Sequence, residues 1–483
     1  MSTPSAHSGD AGFHVLTVGL NTQLVREVFD RVEATAVCRF SHIMSGGHAR
    51  RDLLRDHAGD RIHALRDDGQ GRMPAPDPAL LASLEQPGVP TIHNMIMGDP
   101  VARHLPYHDA LVYATHLAHR FADVLGQVGP DAMIGGFDGM PAGLGLAVAR
   151  RHGVPWFSMH FSAIPPGLSC FCTGLAPATG VSIRAQPVEV LRQLAETTLD
   201  AFVQRRVSAA HHVSAYSPWL VLQRLPRHAT VFASNLARRL RRRADPFTER
   251  SLGGLLRDYA RKRRNMLTLP SAWFCSSPPL QPYIFFGLHM QPESSIDVWA
   301  PFFADQFNVI EQLARSTPPS HQILVKLHRS DADNYSRAQL DRLRRLPGVR
   351  LVGPRVLSRP FIERAALVAT IQGTMGLEAA LLGRPVMVFG DSKLNPFPTV
   401  TQASCGPDLP ATLREALACP APDREAIVSA YMAYLSGFLP GCFNDWTVAP
   451  TEAQIAAFAD QFRDLRRYVA AGREGPSSLS QLG

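Results

Sequence analysis

Two separated stretches of this chain alternate short apolar runs with amphipathic segments of helical spacing, and that rhythm narrows the fold more than any other feature. In the first stretch, FHVLTVGL (13–20) reads as a buried strand and NTQLVREVFDRVEA carries the spacing of a helix. HDALVYATHLAHRFADVLGQV (108–128) is an amphipathic helix. A strand at Ala132–Gly135, a helix at about Gly139–His152 and a strand at Pro155–Met159 then form a parallel strand–helix–strand unit. The rhythm resumes after CSSPPLQP. YIFFGLHM, HQILVKLH and VRLVG read as strands, with helices at Ala300–Ser316, in SRAQLDRLRRL and at Pro360–Ala366. Two further apolar runs, Ala365–Ile371 and Pro385–Phe389, enclose a last helix. Parallel strands alternating with helices imply doubly wound sheets, whose ligands sit at the carboxyl ends of the strands.

A chain of 483 residues exceeds one ordinary core. The expected architecture is therefore α/β, with two Rossmann-like domains facing a cleft. The expected divisions are an N-terminal domain (1–184), a helical basic connector (185–280), a C-terminal domain (281–440), and a C-terminal helix and tail (441–483). Composition is that of a globular protein, 45% hydrophobic and 19% charged. No window offers about 18 uninterrupted apolar residues. The start MSTPSAHSGDAG lacks the basic and apolar regions of a secretory signal, so a cytoplasmic location is expected. The seven cysteines are scattered without a Cys-x-x-Cys pair, which fits reduced thiols.

The net charge of +8 permits contact with phosphates or an anionic membrane face. No nucleic-acid partner is expected. Arginine runs at 238–243 and 261–264 read as a solvated helical face, or as a site for peripheral contact with the cytoplasmic face of an inner membrane. Of 49 basic residues only Lys262, Lys326 and Lys393 are lysines, so a lysine inside a motif is informative.

The chain has no Gly-x-x-x-x-Gly-Lys-Ser/Thr loop, Gly-x-Ser-x-Gly elbow or His-Glu-x-x-His helix. Asp331 and Asp333 make an Asp-x-Asp, a pattern that serves metal-bound nucleotides or simply opens a turn; no metal site is expected. Three clusters fall at strand ends. They are His289, Gln291 and Glu293; Lys326 and His328; and Gly373-Thr374-Met375-Gly376 with Glu378. Each also has a structural reading, as a cap or a loop histidine. Together they place cations, a helix N-terminus and carboxylates at one sheet edge, which suits a sugar nucleotide. On the other domain, Asp138 in GGFDG follows a strand end, either as an acceptor-side base or as a turn former.

Residues 281–391, with QPESS, VKLHRSD and GTMGLEAALLGRP, resemble the capsule polysaccharide biosynthesis proteins, which include Kdo transferases. The family's Pro-Leu-His is Gly287-Leu288-His289 here, and its His-Pro is His328-Arg329. The resemblance implies a GT-B glycosyltransferase fold; because Lys326, His328 and a helix N-terminus supply positive character at the phosphate, turnover is expected to need no metal. The donor nucleotide, CMP-Kdo in the nearest pattern, would lie on the C-terminal domain, and a glycan or lipid-linked acceptor on the N-terminal one. It implies that Gly373 and Gly376 admit a phosphate, Thr374 adds a hydroxyl and Glu378, in the helix's first turn, holds the ribose. Lys326 and His328 would neutralise the leaving nucleotide, and Glu293 would act as acid or base. A sugar-nucleotide 2-epimerase and a non-catalytic scaffold of polysaccharide synthesis and export are the alternatives.

Overall fold

The computed structural model describes residues 12–20, 23–35, 37–44, 61–66, 73–136, 138–207, 245–441 and 451–474. In chain order its strands are β1 Phe13–Val18, β2 Cys38–Met44, β3 Ile62–Ala64, β4 Ala132–Gly135, β5 Trp156–Phe161, β6 Leu168–Cys172 and β7 Gly180–Val181, then β8 Phe274–Cys275 and β9 Tyr283–Gly287. They continue as β10 Gln322–Lys326, β11 Val349–Val352, β12 Leu367–Thr370, β13 Val386–Val388, β14 Val400–Gln402 and β15 Leu439–Pro440.

The first sheet runs β15-β6-β5-β4-β1-β2-β3, with β7 beside β6. β1 to β5 are parallel; β6, β7 and β15 are antiparallel additions at one side. The second sheet runs β14-β13-β12-β9-β10-β11-β8, every neighbour parallel. In both sheets the order turns back beside the first long strand, β1 or β9, which is the doubly wound Rossmann arrangement. The expected α/β fold of two Rossmann-like domains is what the chain adopts.

Alternating residues feed the two faces of each sheet. Leu16 and Val18 meet helices Tyr107–Val128 and Gly139–Arg151, while Phe13 and Val15 face the opposite side. That opposite side is covered from the far end of the chain, by Ile455, Phe458, Phe462 and Leu465 of helix Glu452–Glu474. In the second sheet, Tyr283 and Phe285 face one side and Ile284 and Phe286 the other.

The segment between the sheets is tied to both. Helix Val188–Val203 buries Leu191, Ala195, Leu199 and Phe202 in the core of the second sheet. Asp245 returns to the first domain, where its carboxylate accepts a 2.6 Å bond from buried Arg66. Helix Leu252–Thr268 then docks on the second domain: Arg261 donates to Asn334 at 2.9 Å and Asn265 to the Asp333 carbonyl at 3.0 Å. The arginine run 238–243 lies outside the described residues.

Several elements differ from expectation. The helix expected from Ala300 starts at Gln306, because the Asp305 carboxylate caps Asn308 N at 3.1 Å. β2 carries buried Ser41 and His42, which spoil its apolar signature. Each is satisfied from β1, Ser41 by His14 at 2.9 Å and His42 by Thr17 at 2.8 Å.

Candidate functional site

The crevice of each sheet opens where its strand order reverses, between β1 and β4 in the first and between β9 and β12 in the second. Asp138 follows β4, His289 to Glu293 follow β9, and Gly373 to Gly376 follow β12. Two of the three strand-end clusters therefore flank one switch point, and Asp138 lies at the other.

At the second switch point, helix Thr374–Leu381 starts from Gly373 at φ +100°, a conformation that favours glycine. His289 lies beneath it, its Nε2 3.4 Å from where a Gly373 side chain would begin. In the tautomer protonated at Nε2 that nitrogen donates to the Gln372 carbonyl at 2.5 Å, and in the other it accepts from Gln372 N at 3.3 Å. The backbone of His289 is held by Gln306, whose Oε1 accepts from its N–H at 2.7 Å and whose Nε2 donates to its carbonyl at 3.1 Å. Burial pushes the His289 imidazole down to about 4, so it is neutral, and the nearby His328 pushes the same way. His289 thus braces the glycine turn, a role that the sequence left unassigned.

The turn's own residues divide. Gly373 is exposed and Thr374 half-buried at the open edge. Gly376 faces inward, where an added Cβ would lie 2.9 Å from Leu394 and 3.2 Å from Thr370, so its lack of a side chain serves helix–strand packing. Glu378 is the fifth residue of the helix, not in its first turn, and is buried at 7% exposure. Met375 lies over Gly287, where a Cβ would come within 2.0 Å of its Cε. The glycine that stands in place of the family's proline is therefore matched to this methionine.

Asp138 and Glu293, one from each domain, are both exposed to solvent, and the Asp138 charge is felt at Glu293. Desolvation raises the Asp138 carboxyl. It also raises Glu293, against a lowering pull from nearby Ser295 and with further upward pushes from Asp138, Asp297 and Asp331. Asp138 makes no capping bond to the helix it precedes. Asp99 takes that task, accepting from Met140 N at 2.8 Å as well as from Val101 and Ala102 at 2.8 and 2.7 Å. The turn-forming reading of Asp138 is thus filled by another residue. Asp297, buried and unforeseen, clasps the halves: it accepts from Glu293 N at 3.1 Å and Gln291 Nε2 at 3.2 Å, and pairs with Arg103 of the first domain at 3.5 Å. The rings of His160 and Trp299 meet across the same boundary at a tilt of 58°, with centres 5.2 Å apart.

Lys326 does not join the glycine turn. Its Nζ donates to the Leu327 and Pro354 carbonyls at 3.3 and 3.5 Å, toward β11 and away from β12. Burial, aided by Arg329, lowers its ammonium to about 8. His328 is half-buried, and its Nδ1 accepts from Ser330 N at 3.2 Å. Asp331 and Asp333 serve architecture. Asp331 accepts from Gln291 N and Asn334 at 3.1 Å, and Lys262 lies 3.6 and 3.9 Å from the two carboxylates.

No family model matches the chain, and no curated protein matches it in sequence. Among solved structures, a beta Kdo 2,4 transferase, KpsC of Thermosulfurimonas dismutans, is 13% identical, spanning 69% of this chain and 88% of its own, at TM-score 0.38. The glycotransferase of kitacinnamycin is 13% identical over 95% and 99% of the two chains at TM-score 0.27. The UDP-GlcNAc 2-epimerase of Methanocaldococcus jannaschii is 10% identical over 88% and 97% at 0.26. Likenesses this distant add nothing to what the strand order already defines, a two-domain α/β protein with opposed switch points.

Proposed function

We propose that this protein is a GT-B-type glycosyltransferase that transfers a sugar from a nucleotide donor to a glycan or lipid-linked acceptor in surface polysaccharide synthesis. One observation carries the reading: Asp138 and Glu293, from different domains, each follow a strand at their sheet's switch point, the Asp138 charge is felt at Glu293, and each has its carboxyl raised. A carboxyl raised by desolvation holds a proton more readily than a free one, which suits proton exchange with an acceptor hydroxyl. In this reading Asp138 takes the proton of the acceptor hydroxyl as its oxygen bonds the anomeric carbon. The bond from that carbon to the nucleotide phosphate breaks, and the phosphate leaves toward the exposed Gly373–Thr374 edge and His328. Glu293 orients the acceptor and shares the proton. The ribose is assigned to Glu378, and CMP-Kdo is the donor favoured by the motif resemblance. Lys326 acts as a general positive charge behind the site. In this reading the reaction needs no divalent cation, because Lys326, His328 and the N-terminus of helix Thr374–Leu381 supply the positive character that the leaving phosphate requires.

A thermal-shift panel of CMP, UDP, GDP and dTDP, followed by nucleotide release with a lipid or glycan extract, tests this. A nucleotide at 100 times its Kd stabilises by about 2.7 kcal/mol. Asp138→Asn and Glu293→Gln are expected to keep that shift and lose roughly 100- to 10,000-fold in turnover. Donor conversion without any acceptor would select the epimerase instead, and binding without turnover the scaffold.

A further inference from the structure

Helix Leu252–Thr268 has two unlike faces. The inner face is fastened to the second domain through Arg261, Lys262 and Asn265, the last only 2% exposed. Two cations of the 261–264 run are thereby consumed in protein contacts. That docking fixes what the outer face presents: Leu255, Leu256, Tyr259 and Leu267, exposed at 40%, 59%, 62% and 84%. At 100° per residue these four fall within one third of the helix circumference. Arg263 lies among them, its Nε 3.3 Å from the Tyr259 hydroxyl, and Arg257 and Arg264 form the border. Among the described residues none of these three arginines pairs with a carboxylate.

We infer that this face is a docking surface for an anionic phospholipid bilayer. A band of leucines with a tyrosine, edged by arginines without a carboxylate partner among the described residues, matches the boundary between acyl chains and phosphate headgroups. The leucines enter the apolar layer, Tyr259 and Arg263 sit at the headgroup level, and Arg257 and Arg264 meet lipid phosphate. The charged residues along this helix exclude a spanning role, and among the described residues no helix is long and apolar enough to cross a bilayer. Contact is therefore in the plane of the surface. The inner face ties the helix to the turn holding Asp331, whose carboxylate binds Gln291 N two residues before Glu293. The membrane face and the cleft thus share one rigid connection, and a lipid-linked molecule in the same leaflet would be brought near the cleft.

The test is co-sedimentation of the full chain with vesicles of phosphatidylcholine alone or with about one third phosphatidylglycerol. Binding is expected to the anionic vesicles, to weaken steeply with salt, and to fall roughly hundredfold when Arg257, Arg263 and Arg264 are all changed to glutamate. Leu256→Ser with Leu267→Ser is expected to weaken it at least tenfold. Melting temperature and nucleotide shift should be unchanged in both variants, which separates this surface from the nucleotide site. The inference is overturned by absent binding, by equal binding to neutral vesicles, or by binding that ignores these residues. It is equally overturned if the wild-type chain self-associates and the Leu256→Ser/Leu267→Ser variant is monomeric, since a second copy would then own the face.

Discussion

His289→Asn should lose its stability deficit as the solution is acidified. In the folded chain the imidazole is held to about 4 against an ordinary value of 6.5. Its folded pKa is depressed, so the stability tied to its neutral form is fully present above pH 6.5 and is lost as pH falls toward 4. Between pH 7 and pH 5 the unfolded chain gains most of a proton at this site while the folded chain gains almost none. The resulting loss is about 2 kcal/mol. Asparagine keeps an amide that can donate to the Gln372 carbonyl but does not titrate. Urea denaturation of both proteins at pH 7, 6 and 5 isolates the site, because every other group contributes equally and subtracts out. That includes His160, held near 3 by burial. The difference in unfolding free energy between wild type and variant should shrink by about 2 kcal/mol over that range. Two stability curves that stay parallel would show that His289 is not a buried neutral brace.

Gly287→Ala should destabilise by about 1–3 kcal/mol through collision with Met375, and Met375→Ala should relieve most of that in a double-mutant cycle read by denaturation. Glu378→Gln should weaken nucleotide stabilisation while the fold melts normally; Glu378→Ala should cost about 1–3 kcal/mol besides, as a truncation at a buried position. Turnover should survive a chelator, and activity that disappears and returns with magnesium or manganese would transfer the donor site to Asp331 and Asp333. Lowering pH below the raised carboxyl of Glu293 should suppress transfer before it suppresses nucleotide binding, seen as an acid limb in kcat/KM that moves in Glu293→Gln.

The alternation of strands and helices was legible because it is local: each apolar run and each amphipathic turn carries its own period. Strand order was not, because nothing within β1 or β9 says which strands lie on either side. The apolar stripe of Glu452–Glu474 announces a packed helix without naming its partner, Phe29 and Phe40 of the opposite end of the chain. The strand-end clusters could be found because a parallel sheet sends all its carboxyl ends to one edge. Side-chain direction escaped the same reasoning. Gly376 turns inward to Leu394, Lys326 turns toward Pro354, and Asp138 is released from capping by Asp99, a residue from another helix's end.

The return of the chain to its first sheet has a consequence for biosynthesis. When β1 to β6 have left the ribosome, more than half of the chain is still unmade. Until Leu439–Pro440 and helix Glu452–Glu474 emerge, the face bearing Val15, Phe40 and Phe157 is covered only in part, by Val28, Phe29 and Val32 of helix Gln23–Ala34, and the β6 edge has no partner from β15. The second domain can close on its own residues and helix Val188–Val203 as it is translated. The usual order, in which an N-terminal domain completes its core first, therefore does not apply in full to this chain. The first half waits with an open apolar surface that a chaperone, or a neighbouring nascent chain, can occupy. A stop codon anywhere before residue 452 would turn that transient exposure into a permanent one.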